Sequence, residues 1–218
     1  VGTDLNIAAC ALVVFAKAPV AGQVKTRLIP ALGALGAAQL AQRLLQHAVG
    51  QSVAAGLGSV ELCVSPDVSH PSFLALASRH GLALTEQGSG DLGQRMHRAL
   101  ARRLATDPGV LLIGTDAPAL DAAVLREAAR ALQTHDAVFV PALDGGYALV
   151  GLRRQAPELF ANIAWSTPQV MAATRHRAQA AGLRWAELPA LGDVDVPDDL
   201  VHLKHLQPLP DLPDLPGD

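Results

Sequence analysis

The sequence predicts an α/β domain: a mostly parallel sheet with helices on both faces. Three observations lead there. Short continuous apolar runs recur along the chain, as in ACALVVFA (9–16), VELCV (60–64) and VLLIGT (110–115). Such runs, bounded by turn residues, are strands buried on both faces. Segments with helical apolar spacing alternate with them, and that alternation builds parallel sheets. Charged residues, finally, stand just past the predicted strands, at Lys17, Asp116 and Asp193, where open α/β sheets bind their ligands.

Residues 1–8 read as an irregular lead-in, 9–206 as the domain, and 207–218 as a Pro/Asp-rich tail expected to be mobile, because its composition cannot bury a core. Within the domain, strand Ala9–Ala16 empties into a polar loop, Lys17–Pro30, KAPVAGQVKTRLIP. Leu40, Leu44, Leu45, Ala48 and Val53 then share helical spacing, so Gln39–Ala55 is a helix stopped by Gly56 and Gly58. Strand Val60–Val64, helix Ser72–Arg79 and strand Leu82–Thr85 follow. A glycine-rich loop, Glu86–Arg95, starts a helix to about Ala105, and the Val110–Thr115 strand comes next. Asp121 is a candidate N-cap for helix Asp121–Leu132. Strands Ala137–Ala142 and Tyr147–Leu152 flank Asp144-Gly145-Gly146, a hairpin signal. After a short helix over Pro157–Ala161, Ser166 or Thr167 caps a helix with Pro168 in its first turn, running to about Ala181. Strand Arg184–Leu188, the Asp193-Val194-Asp195 triplet and a helix from Pro197 complete the domain.

A length of 218 residues suits one domain with a well-buried core. A net charge of −3 gives no basic surface for a nucleic-acid backbone. It leaves room for a small anion, because Lys17 and Lys25, two of only three lysines, share one loop. Cys10 and Cys63 lie inside apolar runs and read as buried thiols of a reducing compartment. No apolar run reaches the ~20 residues of a membrane span, and no signal-type segment opens the sequence. The expectation is a cytoplasmic protein without a membrane span. Oligomeric state is not legible.

Several groups could carry chemistry. Lys17, Gly22, Lys25 and Arg27 offer flexible backbone amides and cations suited to a di- or triphosphate. The spacing is neither that of a P-loop nor GxGxxG, and a solvated basic loop is the plain alternative. Asp116 follows the central strand and could bind a cation or merely start a turn. Asp195, with Asp193 beside it, could converge on the same sheet edge, where Mg²⁺ would bridge carboxylates and phosphates. Asp195 could equally cap the Pro197 helix. Gly90, Asp91 and Arg95 form another candidate set, with Asp91 most simply an N-cap. Tyr147 beside Asp144 is compatible with sugar or base contact, although a hairpin explains the glycines there. Trp165 is either core or a stacking platform. No residue pattern supports a catalytic triad.

The stretches FAKAPVAGQVKTRL (15–28), GDLGQRM (90–96), LIGTDAPAL (112–120), DGGYALVGL (144–152), WSTPQV (165–170) and DVDVPDDL (193–200) together resemble a family of small bacterial glycosyltransferase-like proteins. That family belongs to the nucleotide-diphospho-sugar transferase superfamily. The resemblance implies a single-domain GT-A fold, a Rossmann-like sheet with nucleotide over the strand ends. More distantly, the chain is similar to phospholactate and molybdenum-cofactor guanylyltransferases. These likenesses imply phosphate contacts for Lys25 and Arg27, and Mg²⁺ or Mn²⁺ on Asp116 and Asp195. Two departures bear on the reaction: the first loop lacks the compact GxGTR form, and TDAP carries a single carboxylate where DxD is common.

The expected function is therefore metal-dependent transfer of a sugar from a nucleotide-sugar donor to a small acceptor. Asp116 acts through the metal, and Asp144 or Asp91 orients or deprotonates the acceptor. The alternative is a nucleotidylyltransferase that joins a nucleoside triphosphate to a phosphorylated small molecule and releases pyrophosphate. A nucleotide-binding module without catalysis is the third reading.

Overall fold

The computed structural model describes residues 9–205, so the lead-in over 1–8 and the tail over 207–218 lie outside the described residues. Seven strands form one sheet: β1 (Ala11–Lys17), β2 (Val60–Ser65), β3 (Ala83–Glu86), β4 (Val110–Ile113), β5 (Ala137–Pro141), β6 (Tyr147–Leu152) and β7 (Trp185–Glu187). Their order is β3-β2-β1-β4-β6-β5-β7. Five helices cover it: α1 (Ile29–Ala55), α2 (Pro71–His80), α3 (Leu92–Leu104), α4 (Ala122–Ala131) and α5 (Val170–Ala180). The predicted α/β class is the class observed.

β1 shows why the sheet is two-sided. Leu12, Val14 and Ala16 join one core cluster, with Leu45 and Val49 of α1, Phe73 of α2 and Leu125 of α4. Ala11, Val13 and Phe15 face the other way, among Met96 and Leu100 of α3 and Met171 and Ala178 of α5. Alternation along a strand sends neighbours to opposite faces, and here both faces are apolar. Leu12, Val13 and Val14 are fully buried, each stabilising the fold by roughly 1.5–3 kcal/mol.

Three local findings depart from the sequence expectation. First, α1 begins at Ile29 rather than near Gln39. Gly33 sits inside it at φ 69°, ψ 165°, a conformation open to glycine, and it kinks the helix between a first apolar turn and the main shaft. The 30-residue stretch Thr26–Ala55 is long and apolar enough to cross a membrane by length and composition, with a mean hydropathy of 1.2 over its most apolar 18 residues. Here Leu40, Leu44 and Leu45 of α1 are buried in the core. Second, the β5–β6 hairpin folds back so that β6 lies between β4 and β5, antiparallel to both. Third, the segment Pro197–His205 is a 3₁₀ helix.

The chain runs β1→β2→β3 in one direction, then returns to place β4 on the other side of β1. Between the ends of β1 and β4 the connections therefore diverge and leave a crevice.

Candidate active site in the cleft over β1 and β4

A cleft of about 800 Å³ opens at this divergence, and its lining includes Lys17, Lys25, Arg27, Asp116, Asp144, Tyr147, Trp165, Asp193 and Asp195. That volume falls in the range of small-molecule sites. Nine residues from five separate stretches of sequence thus meet in one place. Gly22, Gly90, Asp91 and Arg95 are not part of this lining.

Lys25 is the centre of the arrangement. Its side chain is only 4% exposed and pairs with Asp116 Oδ1 and, at 2.9 Å, with Asp195 Oδ1. It also donates to the Val194 carbonyl at 2.7 Å. Burial opposes the ammonium charge, but the Asp116 and Asp195 carboxylates more than offset this and hold the lysine above its ordinary range. The backbone at Lys25 is left-handed, φ 48° and ψ 41°, a conformation that costs a non-glycine residue roughly 1–2 kcal/mol. Three bonds from one ammonium group hold it there. The resemblance implied a phosphate contact for Lys25; in this structure its partners are two carboxylates and a carbonyl.

Two backbone devices bring the carboxylates together. Val194 donates its N–H to the Asp116 carbonyl at 2.9 Å, joining the β4 exit to the segment after β7. The side chain of Asp199 then accepts from the N–H groups of Asp195 and Val196, both at 2.8 Å. The cap of the closing 3₁₀ segment is thus Asp199 reaching back, and Asp195 is left to face Lys25. From the sequence, Asp198 and Asp199 read only as favourable charges in the first turn of the Pro197 helix; the capping role of Asp199 is not foreseen there. On the other side, the His47 ring contacts the Pro118 carbonyl at 2.9 Å and ties the Asp116 loop to α1.

Arg27 is exposed, with its guanidinium 4.0 Å from Asp195 Oδ2. Lys17 donates to the Gln23 carbonyl at 2.7 Å across the base of the loop. Both cations can turn toward an anion entering the cleft. Asp116 and Asp195 are 48% and 42% exposed, and Lys25 engages only the Oδ1 atom of each. Their remaining oxygens are hard donors of the type Mg²⁺ or Mn²⁺ takes. Among the described residues no set of three or more His, Cys, Asp or Glu gathers into a full metal cage. The two carboxylates are already bridged by the Lys25 ammonium and offer a cation only one further oxygen each.

The far wall is built differently. Asp144 Oδ1 accepts from the Gly146 N–H at 2.8 Å, which is the hairpin geometry expected. Met171 donates to the Gly145 carbonyl at 2.8 Å and locks the hairpin to the start of α5. Tyr147 packs 5.9 Å from Phe139 and meets Trp165 edge-on at 6.5 Å. Burial pushes its phenol upward, so Tyr147 stays neutral. Neither Ser166 nor Thr167 caps α5: Ser166 is left-handed at φ 61°, and the Thr167 hydroxyl donates to Ala164.

The glycine-rich loop serves α3. Asp91 accepts from Gln94 N–H while the Gln94 side chain returns to Asp91 N–H, a reciprocal capping box. Arg95 Nε donates to the Gly90 carbonyl. Gln87, buried beneath the loop, ties the carbonyls of Ala16 and Cys63 together at 3.2 Å each. Cys10 and Cys63 are free and buried; burial pushes Cys10 up to about 12 and Cys63 upward.

Asp193 offers a pH test. Burial, with Asp144 and then Asp195 and Asp199 nearby, pushes its carboxyl up to about 6. The folded chain therefore holds this proton more tightly than the unfolded chain does. Stability falls as pH rises from the ordinary carboxylate range through about 6. Asp193→Asn removes that loss. The variant is expected to exceed wild type by about 1 kcal/mol at pH 8, after discounting for solvent screening, with the difference vanishing near pH 4. Thermal melts at the two pH values check it, and an equal difference at both would contradict it.

The profile of a family described as uncharacterized protein conserved in bacteria (DUF2064) matches residues 38–167. A solved structure of a candidate nucleotide-diphospho-sugar transferase from Desulfovibrio desulfuricans G20 is 30% identical, superposes with a TM-score of 0.83, and shares 91% of this chain and 87% of its own. A nucleotidyl transferase from Methanothermobacter thermautotroptrophicus superposes at 0.59 with 14% identity, covering 89% of this chain and 95% of that one. The 4-diphosphocytidyl-2C-methyl-D-erythritol synthase of Anaerococcus prevotii DSM 20548 superposes at 0.60 with 8% identity, covering 90% and 96%. At such identities the last two share the fold alone. No curated protein matches the chain.

Proposed function

This chain belongs to the DUF2064 family of bacterial proteins, and we propose that it moves a sugar from a nucleoside-diphosphate donor to a small hydroxyl acceptor. One observation carries the reading: among the described residues lining the cleft, the cations are Lys17, at the end of β1, and Lys25 and Arg27, from the segment that follows it. With Lys25 committed to two carboxylates, the exposed Arg27 and Lys17 remain to meet phosphate. That supply suits one diphosphate. A triphosphate together with a phosphorylated partner would crowd several more negative charges among Asp116, Asp144, Asp193 and Asp195, at a large Coulombic cost. The 30% identity to a candidate nucleotide-diphospho-sugar transferase supports the same reading.

In this reaction the bond from sugar C1 to the diphosphate oxygen breaks and a bond from C1 to the acceptor oxygen forms. Arg27 and Lys17 bind the diphosphate by charge-assisted hydrogen bonds. Lys25 fixes Asp116 and Asp195 side by side, so that both carboxylates are set before the donor arrives. Asp144, whose Oδ2 is not engaged by the hairpin, accepts the acceptor proton. Asp116 and Asp195 are the residues that would hold Mg²⁺ or Mn²⁺, which when bound would supply positive charge near the diphosphate.

The fold likeness to nucleotidyl and cytidylyl transferases favours a second reading, in which a phosphorylated molecule attacks a nucleoside triphosphate and pyrophosphate leaves. Products separate the two. Purified protein with Mn²⁺ or Mg²⁺ is incubated with nucleotide sugars in one set, and with triphosphates plus sugar phosphates in another. Asp116→Asn serves as the blank for contaminating hydrolases. Asp116-dependent release of nucleoside diphosphate from a nucleotide sugar is expected. Pyrophosphate release, with no diphosphate from any nucleotide sugar, would replace the first reading by the second.

A further inference from the structure

The wall of the cleft opposite the lysine loop has a chemistry of its own. Trp165 stands against α3, where a Cβ at Gly93 would come 2.6 Å from its Nε1 and 2.5 Å from a ring carbon. Only glycine lets the indole sit this close. Its Nε1 is buried and has no hydrogen-bond partner, so the polar edge is turned into the protein and the cleft receives carbon. Tyr147 behaves alike: its hydroxyl points to Met96 Sδ at 3.9 Å. The Thr167 hydroxyl is spent on the Ala164 carbonyl. What this wall offers is an aromatic surface from Trp165 and Tyr147, apolar side chains of Leu92 and Met96, and the carboxylate of Asp144. Among the described residues of the lining, no cation stands on it.

We infer that the acceptor is an uncharged molecule with a flat apolar ring face and a hydroxyl group, laid on Trp165 with that hydroxyl toward Asp144. A phosphorylated or carboxylated acceptor would meet Asp144 and Asp193 with nothing to neutralise it, whereas a neutral ring gains aromatic contact area and a charge-assisted hydrogen bond. A pyranose face and an arene share this chemistry. The inference rests on the transfer reaction proposed above, because it assigns the diphosphate to the other half of the cleft.

The test keeps the two apart. Calorimetric titration with UDP, GDP, ADP, CDP and dTDP in the presence of Mg²⁺ first asks whether a diphosphate binds; none binding would overturn both readings. Protein saturated with the tightest of these is then titrated with methyl β-D-glucopyranoside and 4-methylphenol, the sugar and arene arms. Glucose 1-phosphate and 4-methylphenyl phosphate are their charged counterparts. At least one neutral probe is expected to bind tenfold or more tighter than its phosphorylated counterpart, and to quench Trp165 fluorescence in a Trp185→Phe background. Trp165→Ala should weaken that probe at least tenfold while diphosphate affinity stays within twofold. Asp144→Lys, at an exposed position and with its fold checked by a thermal melt because Gly146 N–H loses its acceptor, should reverse the preference toward the phosphorylated probe, and it serves should Trp165→Ala not fold. Phosphorylated probes binding as tightly as neutral ones to the wild type, no probe binding at all, or no reversal in Asp144→Lys would overturn the inference, while diphosphate binding in the first step would leave the transfer reading standing.

Discussion

Asp116→Asn is expected to lower transfer by about 10²–10³-fold, the usual loss when one preorganised electrostatic group is removed. Metal-dependent binding of a nucleoside diphosphate should weaken in parallel. The fold should be retained, because the Asp116 side chain is 48% exposed and the Val194 N–H bonds its backbone carbonyl, which the substitution leaves in place. Lys25 keeps Asp195 and the Val194 carbonyl as partners, so the loss is one of charge at the β4 exit. Calorimetry with and without Mg²⁺, beside a turnover assay and a thermal melt, measures all three expectations. A variant that binds metal and diphosphate as wild type does would reduce Asp116 to a turn residue.

The second large effect concerns stability, away from the cleft. Glu61 on β2 is 3% exposed and pairs with Arg102 of α3, which is 38% exposed. Thr85 donates to Glu61 Oε1 at 2.6 Å, and Arg103 stands 3.9 Å from Oε2. The two partners are unequal, since Arg102 can turn to water and Glu61 cannot. Arg102→Met should therefore cost about 3 kcal/mol, the low end for stranding a buried charge. Glu61→Met should cost distinctly less, and the double variant should lie near Glu61→Met. Urea unfolding at pH 7 gives the three values. Equal losses from the two single substitutions would show that the pair acts symmetrically and that burial does not set the cost.

Much of this architecture is legible because buried parallel strands carry no alternation. VLLI and ALVVFA can hardly be anything else in a chain of this length, and the helices that cover them follow from spacing and caps; Asp121 and Asp91 both cap as their positions imply. What was not legible depends on partners distant in sequence. Pro30 reads locally as the end of the loop, yet Leu28, Leu40 and Leu44 pack with Val194 and Leu203, and that contact accompanies the extension of α1 back through the kink at Gly33. The insertion of β6 between β4 and β5 depends on which edge the hairpin finds, which no local pattern encodes. The site divides in the same way. That Lys25, Asp116 and Asp195 belong together followed from resemblance and from strand ends. That Lys25 would be buried between the two acids, rather than open to phosphate, required Val194 to bond Asp116 across the sheet.

The bond between Lys25 and Asp195 spans 170 residues of sequence, and that distance bears on how the protein comes into being. Pairings this remote form late, after the loops between them have closed. On a ribosome, Lys25 emerges before either carboxylate that will hold its left-handed backbone, and Asp116 follows long before Asp195. The segment carrying Val194, Asp195 and Asp199 arrives only after all seven strands have been made. A nascent or partly unfolded chain thus has no assembled cleft and cannot sequester nucleotide unproductively. Completion of the domain and acquisition of the site are one event, and a ligand that binds the site will select for chains that have finished folding.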